Sequence, residues 1–132
     1  MWYAVILALP WLDTTNGTSC AIRMFAVGAV NLVIYKIIKR CIARPRPYRD
    51  CPGIRACARS LDEFSFPSGH TLHSVACSLI LTVYYPVLGF IVWPLTLLIA
   101  VSRVVLGLHY PSDVIVGALI GAITAAVSFN LL

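Results

Sequence analysis

Residues 87–132 read VLGFIVWPLTLLIAVSRVVLGLHYPSDVIVGALIGAITAAVSFNLL, two long apolar runs separated by a short polar stretch. The hydrocarbon core of a bilayer takes about 20 apolar residues of helix to cross. The runs 87–106 and 112–132 meet that length, and the charges between them, Arg103 and Asp113, fall at run ends. Working outward, residues 68–85 form a third run. A fourth covers 21–38, apolar apart from Arg23 near its start and Asn31 inside it. Tyr84-Tyr85-Pro86 forces a tight turn after the third run, because proline cannot continue a helix. Gly107 to Pro111 turns the chain into the last one. The expected fold is therefore all-α, a multi-pass transmembrane helical bundle.

Composition agrees. Of 132 residues, 60% are hydrophobic and 11% charged, with a mean hydropathy of +0.89, far from the balance of a water-soluble domain. No repeat divides the chain, and residues 1–132 are read as one membrane-embedded domain. Residues 1–12 are apolar but too short to cross, and Asp13 to Ser19 reads as a turn that ends them. They are expected to be an incomplete N-terminal span whose preceding sequence is missing. A signal peptide fits poorly, since no positive region precedes them and no small-x-small cleavage site follows.

The net charge of +5 comes mainly from one stretch, Lys36, Lys39, Arg40, Arg44, Arg46, Arg49, Arg55 and Arg59. A basic cluster beside membrane spans contacts anionic headgroups or fixes topology, so nucleic acid is not the expected partner. The five cysteines, Cys20, Cys41, Cys51, Cys57 and Cys77, contain no CxxC pair, and a zinc site is not expected. Cys51 and Cys57 share a polar loop and are candidates for a disulfide in an oxidising compartment. Cys77 reads as a small buried residue.

The order of crossings decides which residues can meet. If the span ending near Ile38 leaves the membrane on one side, the loop 39–66 stays there and the next span begins there at Pro67. That span leaves at Pro86 on the other side, and the following one returns by Leu106. Segments 39–49, 67–70, 102–109 and residue 113 thus share one membrane face. Phe66-Pro67-Ser68-Gly69-His70 opens a helix there, with backbone N–H groups and the positive end of the helix dipole available to an anion and the Ser68 hydroxyl as a further donor. The same stretch, taken alone, fits an ordinary helix cap. His109 and Asp113 are four apart on one helix face, so the carboxylate can hold one imidazole nitrogen and leave the other as acceptor or nucleophile. An ionisable pair at a membrane helix end is costly and marks function. Lys39, Arg46 and Arg103 converge on the same face, and guanidinium and ammonium groups suit the oxygens of a transferring phosphoryl group.

Lys39-x6-Arg46-Pro47, Pro67-Ser68-Gly69-His70 and Ser102-Arg103-x5-His109-x3-Asp113 together resemble the three-part signature of the type 2 phosphatidic acid phosphatase superfamily, at every signature position and in order. Any one of the motifs is common; the trio spans Lys39 to Asp113 and is specific. The resemblance implies a helical core shared with vanadium haloperoxidases, and the apolar spans point to the membrane lipid phosphatase branch. It implies a metal-independent enzyme without cofactor in which His109 attacks phosphorus to give a phosphohistidine, oriented by Asp113. His70 protonates the leaving oxygen. Lys39, Arg46, Ser68, Gly69 and Arg103 bind the phosphoryl oxygens. Spacing from Lys39 selects Arg46 over Arg44, which is left as a headgroup contact or supporting charge, and His73 reads as a polar packing residue.

The expected substrate is a lipid phosphate or diphosphate, such as phosphatidic acid, phosphatidylglycerophosphate or undecaprenyl diphosphate, with membrane lipids as the other partners. A phosphotransferase of the same superfamily and a non-catalytic binder of anionic lipid are the competing readings. The expected location is the bacterial inner membrane with the site facing the periplasm. The positive-inside rule would put the basic stretch in the cytoplasm, but phosphate binding accounts for Lys39 and Arg46.

Overall fold

The computed structural model describes residues 2–50, 53–54 and 63–131. Its elements in chain order are α1 (Trp2–Leu12), α2 (Gly17–Ile42), the single turn α3 (Pro47–Asp50), α4 (Gly69–Tyr84), a 3-10 turn (Pro86–Leu88), α5 (Gly89–Val105) and α6 (Pro111–Leu131). Cys51 and Cys57, and with them the suggested disulfide, lie outside the described residues. The expected N-terminal stub is a helix, α1, packed along α2.

Helix α2 extends past the expected 21–38 at both ends. At a rise of 1.5 Å per residue it spans about 39 Å, long enough to carry Lys39 beyond the apolar layer. It stops at Ala43, whose left-handed backbone (φ 46°) returns its N–H to the Lys39 carbonyl. Gly107 makes the other sharp turn at φ +69°, delivering His109 to the start of α6.

Three helical segments, within 17–50, 86–105 and 111–131, are long and apolar enough to cross a membrane. The expectation of four crossings by apolar length alone fails at α4. That helix has 16 residues, about 24 Å, and carries Thr71, His73, Ser74 and Ser78. It does not need an apolar sequence, because protein rather than lipid surrounds it. Leu72, Ala76, Ile80 and Leu81 are buried against α2, α5 and α6. Its polar groups are met from neighbouring helices: Ser78 Oγ lies 2.6 Å from Thr96 Oγ1, and Trp2 Nε1 donates to Ser74 Oγ at 3.2 Å. The large apolar side chains that remain exposed, among them Phe25, Val33, Phe90, Leu97, Leu119 and Ile123, belong to the outer helices. They form the surface a bilayer would cover.

Helix α6 meets α4 through a stripe of small residues, Gly117, Gly121, Ala125 and Ser128. A Cβ on Gly117 would stand 2.6 Å from the Ser68 carbonyl oxygen, and one on Gly121 2.3 Å from that of Leu72. Only glycine allows backbones this close, and in a membrane such close packing is a main source of helix association. At the opposite end of the bundle Arg23 ties three helices together. It donates from Nε to Tyr84 Oη at 3.3 Å and from Nη1 to the Ser128 carbonyl, and stacks on Phe129 at 4.4 Å. Tyr85 donates to Asp13 Oδ2 at 2.7 Å nearby. Bonds from the Thr15 side chain, Tyr85 and the Thr15 amide hold the Asp13 carboxyl well below the usual range.

The glycine contact yields a stability prediction. Gly121→Val should destabilise the detergent-solubilised protein by roughly 1–3 kcal/mol or more, the cost of overpacking against unyielding backbone. Thermal unfolding compared with Val at lipid-facing Leu119 measures it, and equal midpoints for the two variants would refute the close approach.

Candidate active site

Six chain segments converge at one end of the bundle. The last turn of α2 supplies Lys39, the extended stretch after it Arg44 and Arg46, the first turn of α4 Gly69 and His70, the last turn of α5 Arg103, and the start of α6 His109 and Asp113. Ser65, from the segment that leads into α4, completes the set. Lys39 and Arg103 stand in the last turns of helices, where the negative end of the dipole favours cations. The first turn of α4 contains no acidic residue. Its positive end therefore has no carboxylate of its own.

His109 is 4% exposed. Its Nδ1 lies 2.7 Å from the Ser65 carbonyl oxygen. A carbonyl only accepts, so Nδ1 carries the proton and Nε2 has its lone pair free. Nε2 faces Arg46, whose Nη1 is 3.4 Å away. Arg46 is itself 2% exposed and donates to the Leu108 carbonyl at 2.8 Å, which fixes the guanidinium plane beside the imidazole.

Asp113 is fully buried, and its place differs from the one expected. Its Oδ2 is 3.8 Å from His109 Nδ1, beyond hydrogen-bond length, and instead accepts the Tyr110 amide at 2.9 Å. Its Oδ1 accepts from Arg44 Nη1, also at 2.9 Å. Arg44 further donates to Ser112 Oγ at 2.8 Å and lies over the Tyr110 ring at 4.0 Å. The orientation of His109 is thus shared between a backbone carbonyl and a carboxylate one turn away, and Arg44 is the clamp on that carboxylate. Sequence reasoning reduced Arg44 to a supporting charge. Its Arg44-Pro45 repeat of Arg46-Pro47 was the available signal. The Ser65 carbonyl gave none, since any residue carries one.

Ser68 also stands apart from its expected role. It is buried, its hydroxyl is 3.0 Å from Thr71 Oγ1, and its N–H is taken by the Asp113 carbonyl at 2.9 Å. It joins α4 to α6 and does not line the site. Lys39, Arg46, Gly69, His70, Arg103 and His109 do, around a cavity of about 800 Å³. Lys39 is 6% exposed with its Nζ 5.0 Å from the centre of the Tyr35 ring, and Arg103 is half-buried with Nε 3.3 Å from Ser102 Oγ. His70 is exposed to the cavity. From this cationic end the cavity runs between α1, α2 and α4 past Leu32, Gly28 and Met24 to Ile6 and Trp2.

The class so defined is a helical membrane bundle that gathers cations, a histidine bonded through Nδ1 to a carbonyl, and a helix N-terminus without acidic residues at one end. The chain belongs to the PAP2 superfamily, whose family model matches residues 20–132. It is 38% identical over 93 residues to a decaprenylphosphoryl-5-phosphoribose phosphatase of Mycobacterium tuberculosis, covering 69% of this chain and 49% of that protein. It is 33% identical over 125 residues to an undecaprenyl-diphosphatase of Bacillus subtilis, covering 92% and 62%. The chain therefore spans about half to two thirds of the length of these relatives. Its fold matches the crystal structure of a transmembrane PAP2-type phosphatidylglycerolphosphate phosphatase from Bacillus subtilis with a TM-score of 0.78 at 22% identity, over 98% of this chain and 67% of that one.

The clamp can be tested without any assay of activity. Arg44→Ala leaves the Asp113 carboxylate buried without its cation, and should cost about 1–3 kcal/mol of stability at neutral pH, moderated because Arg44 is 36% exposed. Asp113→Asn in the same background should recover part of the loss, as a double-mutant cycle on unfolding midpoints would show. Strict additivity of the two changes would mean that the pair does not couple.

Proposed function

We propose that this protein is a membrane lipid phosphatase that works through a phosphohistidine on His109. The observation that carries this reading is the continuity of the cavity. Its polar end gathers Lys39, Arg46, His70, Arg103 and His109, and its other end is walled by Met24, Phe25, Leu32 and Ile6. A phosphate joined to a long apolar chain fits such a space in one orientation only. Two relatives support it, one named a decaprenylphosphoryl-5-phosphoribose phosphatase and the other an undecaprenyl-diphosphatase.

In the proposed reaction the phosphoryl group enters against the N-terminal turn of α4, its oxygens taken by Lys39, Arg46, Arg103 and the Gly69 amide. The Arg46 N–H that faces Nε2 turns to a phosphoryl oxygen, and the freed lone pair attacks phosphorus. The N–P bond forms as the P–O bond to the lipid breaks, and His70 gives its proton to the departing oxygen. The imidazole ring then bears positive charge, stabilised by the Asp113 carboxylate 3.8 Å from Nδ1. Water attacks the phosphohistidine, passes its proton to His70, and inorganic phosphate leaves as His109 is restored. Each catalytic group is so placed that electrostatics meets charge where it develops, as phosphoryl transfer requires.

The decisive measurement is phosphate release in detergent from phosphatidic acid, phosphatidylglycerophosphate and undecaprenyl diphosphate. His109→Ala should reduce kcat at least about 10³-fold. Asp113→Asn, which keeps the shape but removes the charge, should reduce it about 10²-fold. Phosphate release undiminished in His109→Ala would overturn the assignment. An acid-labile, alkali-stable phosphoenzyme should form with wild type and be missing in that variant.

The site is proposed to face the periplasm of the bacterial inner membrane. Its cations serve the substrate, so their number does not argue for the cytoplasmic side. Cys41, exposed at the site end of α2, reports on this directly. In a single-cysteine variant retaining Cys41, a membrane-impermeant maleimide added to intact cells should label the protein. Labelling only after the inner membrane is broken would reverse the topology.

A further inference from the structure

One turn below the phosphoryl site the cavity wall is again polar. Tyr35 precedes Lys39 by one turn of α2, and His73 follows His70 by one turn of α4. The two helices run in opposite directions, so both residues sit at the same depth, about 5 Å further in by helix rise. Their rings meet edge to face with centroids 6.5 Å apart. The Tyr35 ring also lies against the Gly69 backbone, where an added Cβ would be 3.4 Å from it, and beneath Lys39 Nζ. Both line the cavity, as does the half-buried His73 ring, whose nitrogens have no hydrogen-bond partner among the described residues. Below this level the α2 wall is Leu32, Ala29, Gly28, Phe25 and Met24, which offer no polar side chain.

We infer that His73, held edge to face by the Tyr35 ring, forms a second subsite that hydrogen-bonds the oxygens linking the transferred phosphoryl group to the lipid tail. The inference rests on the phosphatase reading and deepens it. The chemistry shared by its possible ligands is an oxygen acceptor directly behind the scissile bond, either the second phosphate of a lipid diphosphate or the ester oxygens of a glycerol backbone. An imidazole N–H donates to such oxygens. Packing alone would be served better by an apolar residue, since a half-buried imidazole without a partner carries a desolvation cost. The subsite sits where the leaving group must pass, between the reacting atoms and the tail. It is therefore a specificity element. It takes no part in the bond changes, in which the P–O bond breaks and His70 protonates the departing oxygen.

Farnesyl diphosphate and farnesyl monophosphate share a tail and differ only in the second phosphate, and phosphatidic acid supplies the glycerol case. In detergent, His73→Phe should lower the diphosphate-to-monophosphate ratio of kcat/KM about tenfold, the effect of losing one hydrogen bond to a charged group. His73→Gln, which keeps a donor, should restore much of the ratio. If the ratio of phosphatidic acid to farnesyl monophosphate falls instead, the linker recognised is the glycerol ester. Equal loss on all three substrates, or no change in either ratio, would overturn the subsite. Failure of the wild-type protein to release phosphate from any of them would instead overturn the phosphatase reading, so the two failures are distinct.

Discussion

The approach of α6 to α4 is the constraint on which the site depends. Gly117 and Gly121 bring the backbone of α6 against the Ser68 and Leu72 carbonyls, closer than any side chain allows. That approach lets the Asp113 carbonyl accept the Ser68 amide at 2.9 Å, locking the starts of the two helices side by side. From there the arrangement follows by short links. The Tyr110 amide holds the Asp113 carboxylate, Arg44 clamps its other oxygen, and the turn at Gly107 presents His109 beside Arg46. Helix association in a bilayer gains little from burying apolar surface, so contacts of this kind must carry the geometry.

Helix polarity explains why the charges stand where they do. Two helices end at the site face, α2 and α5, and each places a cation in its last turn. Two helices begin there, α4 and α6. The latter has Asp113 in its first turn, but α4 has no acidic residue. The macrodipoles of α2, α5 and α6 are thus complemented by the protein's own side chains, while the N-terminus of α4 opens beside Gly69 and His70 on the cavity. Of the four, α4 is the helix whose end at this face has no compensating side chain among its own described residues.

Much of this was readable from the chain because the relevant residues are marked by side-chain type and spacing. Lys39, Arg46, Arg103 and His109 come together as helix order requires, and the family membership follows from the same positions. What escaped sequence reading was of two kinds. The partner of His109 Nδ1 is the Ser65 carbonyl, a backbone group with no sequence signature, and the nearer pairing with Asp113 that four-residue spacing suggests is preempted by it. The contacts of Ser68 carry no sequence signature either: tertiary packing gives its amide to the Asp113 carbonyl and sets its hydroxyl beside Thr71. The reading of α4 as an apolar span failed for a related reason. Hydropathy reports contact with lipid, and α4 is solvated by its neighbours.

The cavity divides its work between different pairs of helices. Its cationic end is fixed by the α4–α6 contact. Its apolar end is walled by α1 and α2, through Trp2, Tyr3, Ile6, Phe25 and Leu32, none of which touches that contact. Substitutions in the tail wall change volume and shape without moving Asp113 or His109, because packing changes at a distance from a rigid contact are nearly independent of it. Such an arrangement lets the two ends of the cavity vary separately. It also gives α1 a part in the fold: with α2 and α4 it closes the wall of the cavity's apolar end.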